Sequence, residues 1–245
     1  MSVSSPTISR KKVRKKNLNV VPILRKDPVD LRIKSISFNY NKVLQKNQSW
    51  KRPLDITLGT IGMVFFMLLY PFIALGIKLS SNGPVIFKQD RTGYDGNVFS
   101  CYKFRTMHCN KEYNSGDKPD ITKKKDSRIF AFGELLRKSN LDEIPQFINI
   151  LKGDMSLVGP RPYPVKENHY WENTFPDFYK RLAVKPGLTG LAQATGFRGG
   201  TLNLRHMRER LRRDLLYIKK SSPSMDLKLI YLTLRKMATG NTDAN

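Results

Sequence analysis

Asp142 and Glu143 stand side by side at the head of a short apolar repeat, and adjacent carboxylates are the pair in this chain best suited to chemistry. Ile144, Phe147, Ile148 and Leu151 follow at i, i+3, i+4 and i+7, with Gly153 where a helix C-cap glycine falls. The pattern predicts a helix with Asp142 as N-cap and Pro145 in the first turn. A helix start offers free N–H groups and the positive end of the dipole, so it holds carboxylates and phosphates alike. With Mg2+ between Asp142, Glu143 and a substrate phosphate the two charges can coexist, and Asp142 could attack phosphorus. Local physics alone favours a plainer reading, because Asp is a common N-cap and Glu in a first turn is ordinary. Arg137, five residues before Asp142, and Arg161 in the rigid Gly159-Pro160-Arg161-Pro162 supply the bidentate cations that phosphoryl chemistry needs. Neither a G-x-x-x-x-G-K-[ST] loop nor a strand-linked G-x-G-x-x-G is present, which disfavours ordinary NTPases and Rossmann enzymes.

The rest of the chain must position those residues. Its 245 residues suit one domain plus a tail. Forty-four Lys and Arg against 20 Asp and Glu give a net charge of +24, which points to a polyanionic partner or surface. Cys101 and Cys109 form no C-x-x-C or secreted pattern, and His108, His169 and His206 are scattered, so a reducing compartment without a zinc site is expected.

Residues 56–77 carry no charge over 22 positions, about the length that crosses a bilayer. Residues 1–52 hold fourteen Lys or Arg and two Asp, a net of +12, which leaves 24 minus 12, or +12, beyond them. Equal basic flanks give a through-helix no preferred direction. Pro71, in mid-segment, removes one helical bond and bends the axis. A re-entrant helix-break-helix with both flanks in the cytoplasm is therefore expected ahead of a kinked spanning helix. Lys51, Arg52 and Lys78 read as headgroup anchors, roughly 1 kcal/mol each.

Residues 1–48 read as a basic, mostly disordered arm, 49–80 as the membrane helix and 81–240 as the catalytic domain. Pro84-Val85-Ile86-Phe87 and Val98-Phe99-Ser100-Cys101-Tyr102-Lys103-Phe104 flank turn signals and predict a β-hairpin. Residues 109–128 read as an exposed loop. Leu204, Met207, Leu211, Leu215 and Ile218 form a stripe opposed by Arg205, Arg208, Arg210, Arg212 and Arg213, and a second helix follows over 225–237. Amphipathic helices at about 203–237 suit an anionic membrane surface, or a protein core. The fold class is α/β and predominantly helical.

Six ordered motifs carry a resemblance. They are Lys51-Arg52-Pro53-Leu54-Asp55, Gly83-Pro84-Val85-Ile86-Phe87-Lys88-Gln89, Tyr102-Lys103-Phe104-Arg105-Thr106-Met107, Leu141-Asp142-Glu143-Ile144-Pro145-Gln146, Gly153-Asp154-Met155-Ser156-Leu157-Val158-Gly159-Pro160-Arg161-Pro162 and Lys185-Pro186-Gly187-Leu188-Thr189-Gly190. Over roughly residues 50–240 the chain closely resembles the bacterial sugar transferases known as monotopic phosphoglycosyl transferases. The resemblance implies a re-entrant helix over about 53–78 and a catalytic dyad at Asp142-Glu143. It implies transfer of a sugar phosphate from a UDP-sugar to polyprenol (undecaprenyl) phosphate through a covalent intermediate on Asp142, with release of UMP, as the first membrane step of glycan assembly. By the same likeness Glu143 assists with Mg2+ or a proton, and Arg137, Arg161, Arg105, Lys103 and Asp214 serve the substrate. The implied site is the cytoplasmic face of the inner membrane, with anionic lipid as a partner and nucleic acid not expected. Tyr70 departs from the family pattern, which places Ser before the kink proline. The competing class is a membrane-tethered protein that binds anionic lipid or nucleic acid without chemistry; in it Asp142 would be dispensable.

Overall fold

The computed structural model describes residues 49–109, 122, 126–200 and 203–239. The basic arm and most of the 109–128 loop lie outside the described residues. The described fold is mostly helical with two small sheets.

The apolar segment forms one helix, α1, over Lys51–Ser80, with Pro71 inside it. The backbone stays helical across the proline, so the expected helix-break-helix is not seen: Pro71 lies within one continuous helix, whose remaining bonds carry it past the missing N–H. Pro71 has no N–H to offer the carbonyl of Met67. The ring of Tyr70 packs edge-on against Phe66 at 5.5 Å and lies 6.1 Å from Phe104, which ties this stretch to the protein.

Asp55, Gly59, Gly62, Phe66, Ile73 and Ile77 form a buried stripe along α1. The opposite face is apolar and bare, with Leu68, Phe72 and Leu79 at 64%, 73% and 80% exposure. So broad an apolar face marks a lipid or partner surface.

Both ends of α1 are fastened to the same body. Lys51, read from sequence as a headgroup anchor, is buried, and its Nζ donates to Val158 O (2.8 Å), Tyr217 Oη (2.7 Å) and Asp226 Oδ2 (2.9 Å). Arg52 donates to the carbonyls of Ile150 and Leu151, so it too grips protein. Asp55 Oδ1 accepts from Ser156 Oγ and from the Leu157 amide. At the far end Arg105 donates to Ser81 O (2.6 Å), Ser81 Oγ (2.8 Å) and Pro84 O (2.6 Å).

The predicted hairpin is present as β1 (Ile86–Thr92) and β2 (Val98–Phe104), antiparallel from Ile86↔Phe104 to Thr92↔Val98. Helix α2 spans Ala131–Lys138, and a 3-10 turn over Leu141–Glu143 leads into α3, Gln146–Lys152. Asp142 is thus not an N-cap: Pro145 occupies that position, since it lacks an N–H and its φ suits a helix start. Gly153 closes α3 in the left-handed conformation, as the sequence predicts.

Strands β3 (Ser156–Val158) and β4 (Gly187–Thr189) pair in parallel. Helices α4 (Val165–Thr174), α5 (Leu191–Ala194), α6 (Leu204–Lys220) and α7 (Pro223–Ala238) complete the domain. Met207, Leu211, Leu215 and Ile218 on α6 are fully buried with Trp171, Phe175 and Phe178. The α6 stripe therefore faces the core and cannot lie on a membrane. On α7, by contrast, Leu227, Tyr231 and Leu234 are 54%, 62% and 60% exposed.

Candidate active site

The sequence folds so that four loops and strand ends meet over one cleft of about 480 Å³. Strand β2 brings Lys103, the end of α2 brings Arg137, the 3-10 turn brings Asp142 and Glu143, and the loop after β3 brings Arg161. Asn140, in the left-handed conformation at φ 58°, redirects the chain between α2 and the dyad. The Gly159–Arg161 loop is held by β4: the Gly159 amide donates to Thr189 O and the Gly187 amide to Pro160 O. A Cβ on Gly187 would lie 2.0 Å from Gly159 N, so glycine is required for this approach.

Glu143 is fully committed. Lys103 Nζ donates to Oε1 at 2.7 Å, and Arg161 bridges both oxygens through NH1 (3.2 Å to Oε2) and NH2 (to Oε1). Burial disfavours its charge, but Arg161 and Lys103 outweigh that and hold the carboxyl well below the usual carboxylate range. Burial likewise works against the Arg161 charge, but Glu143 outweighs it and raises the guanidinium pKa.

Asp142 is buried too, yet it accepts no hydrogen bond among the described residues; its nearest cation is Lys103, 4.0 Å from Oδ2. Burial pushes its pKa up, opposed by Lys103 and reinforced by the Glu143 charge. One carboxylate is locked in an ion-pair network, and its neighbour is left with both oxygens available. Environments that push two adjacent carboxyls apart separate their roles. NH1 of Arg137 and Nδ2 of Asn140 line the same cleft, buried and without partners among the described residues, and so are donors for an anion.

Two expected phosphate ligands are placed otherwise. The guanidinium of Arg105 reaches the cleft wall but is spent on Ser81 and Pro84, where it closes the C-terminal end of α1. Asp214 does not line the cleft: it accepts from Arg181 Nε at 2.9 Å, and Arg181 NH2 donates to Arg161 O at 2.7 Å. It stands behind Arg161 as support.

Sequence reasoning missed Arg91, Gln193 and Arg210, which line the cleft. Arg210 is 2% exposed, although a sequence helix projection puts it among solvent-facing arginines. The Gly196-Phe197-Arg198-Gly199-Gly200 stretch, uninformative by sequence, lends Arg198, Gly199 and Gly200 to the wall.

Among the described residues no group of three or more His, Cys, Asp or Glu could hold a metal by itself. Asp142 supplies a hard oxygen donor, and Glu143 has both oxygens engaged by cations. The donor set suits a Mg2+ that takes most of its ligands from substrate phosphates.

The sequence profile of the bacterial sugar transferase family matches residues 46–240. The chain belongs to that family. This sugar transferase is 41% identical over 191 residues to the UDP-glucose:undecaprenyl-phosphate glucose-1-phosphate transferase of Caulobacter vibrioides, covering 77% of this chain and 70% of that one. It is 42% identical over 190 residues to the protein of the same name in Escherichia coli, covering 78% of this chain but 40% of that one. A third relative is the UDP-N-acetylgalactosamine-undecaprenyl-phosphate N-acetylgalactosaminephosphotransferase of Aeromonas hydrophila, 36% identical over 190 residues, with 78% and 44% covered. The match thus covers less than half of each of the two longer relatives.

Proposed function

We propose that this chain transfers a sugar phosphate from a UDP-sugar to polyprenol (undecaprenyl) phosphate, releasing UMP, as an opening step of glycan assembly at a membrane. The observation that carries the reading is the uncommitted Asp142 carboxylate beside a Glu143 locked by Lys103 and Arg161. A carboxylate oxygen of Asp142 attacks the sugar-bearing phosphorus. The bond from that phosphorus to the bridging oxygen breaks, and the electron pair leaves on UMP. The phosphate oxygen of the lipid then attacks the same phosphorus, forming a lipid pyrophosphate-sugar and returning the Asp142 carboxylate. Dividing the transfer lets one nucleophile serve both substrates in turn.

Lys103, Arg137 and Arg161 surround the phosphate and offset the charge that builds there. Asp142 and the pyrophosphate oxygens would hold Mg2+, which when bound neutralises leaving-group charge. Removing divalent cations with a chelator is expected to stop turnover, and Mg2+ to restore it.

The placement is monotopic. Lys51 and Ser81, at opposite ends of α1, are bonded to one globular body, and the buried stripe runs the whole helix. A spanning helix would carry one end to the far side of the membrane. Here the bare face lies in one leaflet and both basic flanks stay on the cytoplasmic side, where anionic lipid meets them.

Purified protein incubated with UDP-sugars and polyprenol phosphate is expected to release UMP, and Asp142→Asn to release none. Undiminished release by the variant overturns the nucleophile assignment. For topology, Ser49→Cys and Asn82→Cys, each in a background lacking Cys101 and Cys109, are expected to label from the same side of sealed vesicles. Labelling from opposite sides would refute the monotopic placement.

A further inference from the structure

Part of the cleft has chemistry that the phosphate-transfer steps leave unused. Arg91 from β1, Glu167 from α4, Gln193 from α5 and Arg210 from α6 line it, four side chains brought together from distant parts of the sequence. Three of them carry a buried polar atom with no partner among the described residues: Nε of Arg91, Oε1 of Gln193 and Nε of Arg210. A buried polar group left without a bond is costly, so three on one wall call for a ligand.

The rest of each side chain is fixed. Arg91 donates through NH1 to Pro162 O and through NH2 to Gln89 Oε1. Arg210 donates through NH1 to Tyr163 Oη and through NH2 to the carbonyls of Arg198 and Gly199. Gln193 Nε2 donates to Leu188 O at 3.0 Å. A carbonyl can only accept, so that bond sets the amide orientation and leaves Oε1 as the spare acceptor. Glu167, half-buried, takes one long bond of 3.4 Å from Trp171 Nε1, and its other oxygen accepts from no described residue.

Two spare acceptors and two spare donors on rigid supports match a ring of hydroxyls, each of which both gives and takes a hydrogen bond. Uracil fits this wall less well. With N1 glycosylated it has one N–H donor for two spare acceptors, and the nearby rings are taken: Arg181 covers Tyr163 at 4.5 Å, and Arg213 covers Phe197 at 3.8 Å.

We propose that Arg91, Glu167, Gln193 and Arg210 form the subsite that seats and selects the sugar ring of the nucleotide-sugar donor. The inference rests on the sugar-phosphate transfer described above. In that reaction UMP departs after the first step, whereas the phospho-sugar stays on Asp142 until the lipid phosphate attacks. The sugar ring therefore needs a buried seat through both steps.

The test compares wild type with the near-isosteric Glu167→Gln and Gln193→Met, measuring UMP release from UDP-glucose, UDP-galactose and their N-acetylhexosamine counterparts. The ratio of kcat/KM between the best donor and its C4 epimer is expected to fall about tenfold or more, because a site built to bond a hydroxyl discriminates through that bond. Inhibition by UMP is expected to stay unchanged. An equal loss across all donors with weaker UMP inhibition would place the nucleoside there and overturn the inference, as would unaltered ratios in active variants. Glu167 is half-buried and makes one long side-chain bond, so Glu167→Gln is the gentler change and decides alone if Gln193→Met is unstable. Wild type that releases no UMP from any donor would overturn the transfer reaction itself, and this subsite with it.

Discussion

Arg181 and Asp214 form an ion pair whose side chains are 2% and 3% exposed, and the same guanidinium holds the backbone carbonyl of Arg161. A charge pair buried so deeply is weak evidence for stability, since desolvation offsets its attraction. Its consequence here is geometric, because it fixes the loop from which Arg161 reaches Glu143. Asp214→Asn keeps the shape and loosens that loop. We expect kcat to fall on the order of tenfold or more through misplacement of Arg161, while KM for the UDP-sugar changes little. Equal losses in kcat and in folded fraction would show that Asp214 only supports the fold.

Lys51 is expected to matter for stability far more than its neighbour Arg52. Lys51 joins α1 to Val158, Tyr217 and Asp226 inside the protein, whereas Arg52 caps two carbonyls of α3 near the surface. Lys51→Met leaves Asp226 buried without its cation, a loss of about 3 kcal/mol. Arg52→Met removes a helix-end contact of about 0.5 kcal/mol. Urea unfolding in detergent micelles separates the two; equal losses would return both residues to the role of headgroup anchors.

Gly62 marks where α1 and α3 approach. A Cβ there would lie 2.3 Å from the Phe147 ring, whereas one at Gly59 would meet Leu151 and Ile150 at 3.2 and 3.3 Å. Gly62→Ala is expected to destabilise by about 1–3 kcal/mol through overpacking, and to lower activity because Phe147 lies on the helix that follows the dyad. Gly59→Ala is the milder variant. Thermal unfolding of both, with UMP release, checks the order.

Much of the scaffold was legible because its signals are local. An uncharged run of 22 residues, a turn between two β-rich stretches and a glycine after an apolar repeat each announce one element. Strands β3 and β4 announce nothing: each has three residues, and their pairing joins Ser156 to Gly187 across the intervening helix. Arg210 is not legible because one arginine among five on a helix looks solvated, and its burial depends on Tyr163 and the carbonyls of Arg198 and Gly199. The sequence pattern puts the cap at Asp142, whereas Pro145 moves the helix start three residues on. Asp142-Glu143 stands out in the sequence only through the ordered motifs around it, since an Asp-Glu pair in a turn carries no chemistry by itself.

Glu143 should give the protein an acid-labile share of its stability. Arg161 and Lys103 hold its folded pKa well below the unfolded value, against the effect of burial. A depressed carboxyl stabilises the fold above its unfolded pKa of about 4.3, and that contribution is lost as pH falls toward the folded value. Glu143→Gln removes the carboxylate that Lys103 and Arg161 both grip and leaves Asp142, 4.0 Å from Lys103, as the nearest anion, at a cost of about 3 kcal/mol near pH 7. The gap between wild type and variant is then expected to narrow below about pH 4 as wild type loses the same ion pairs. Urea unfolding of both proteins across this range measures it. A gap that stays constant down to strong acid would mean that Glu143 contributes through packing, and that the two cations around Asp142 are held in place by other contacts.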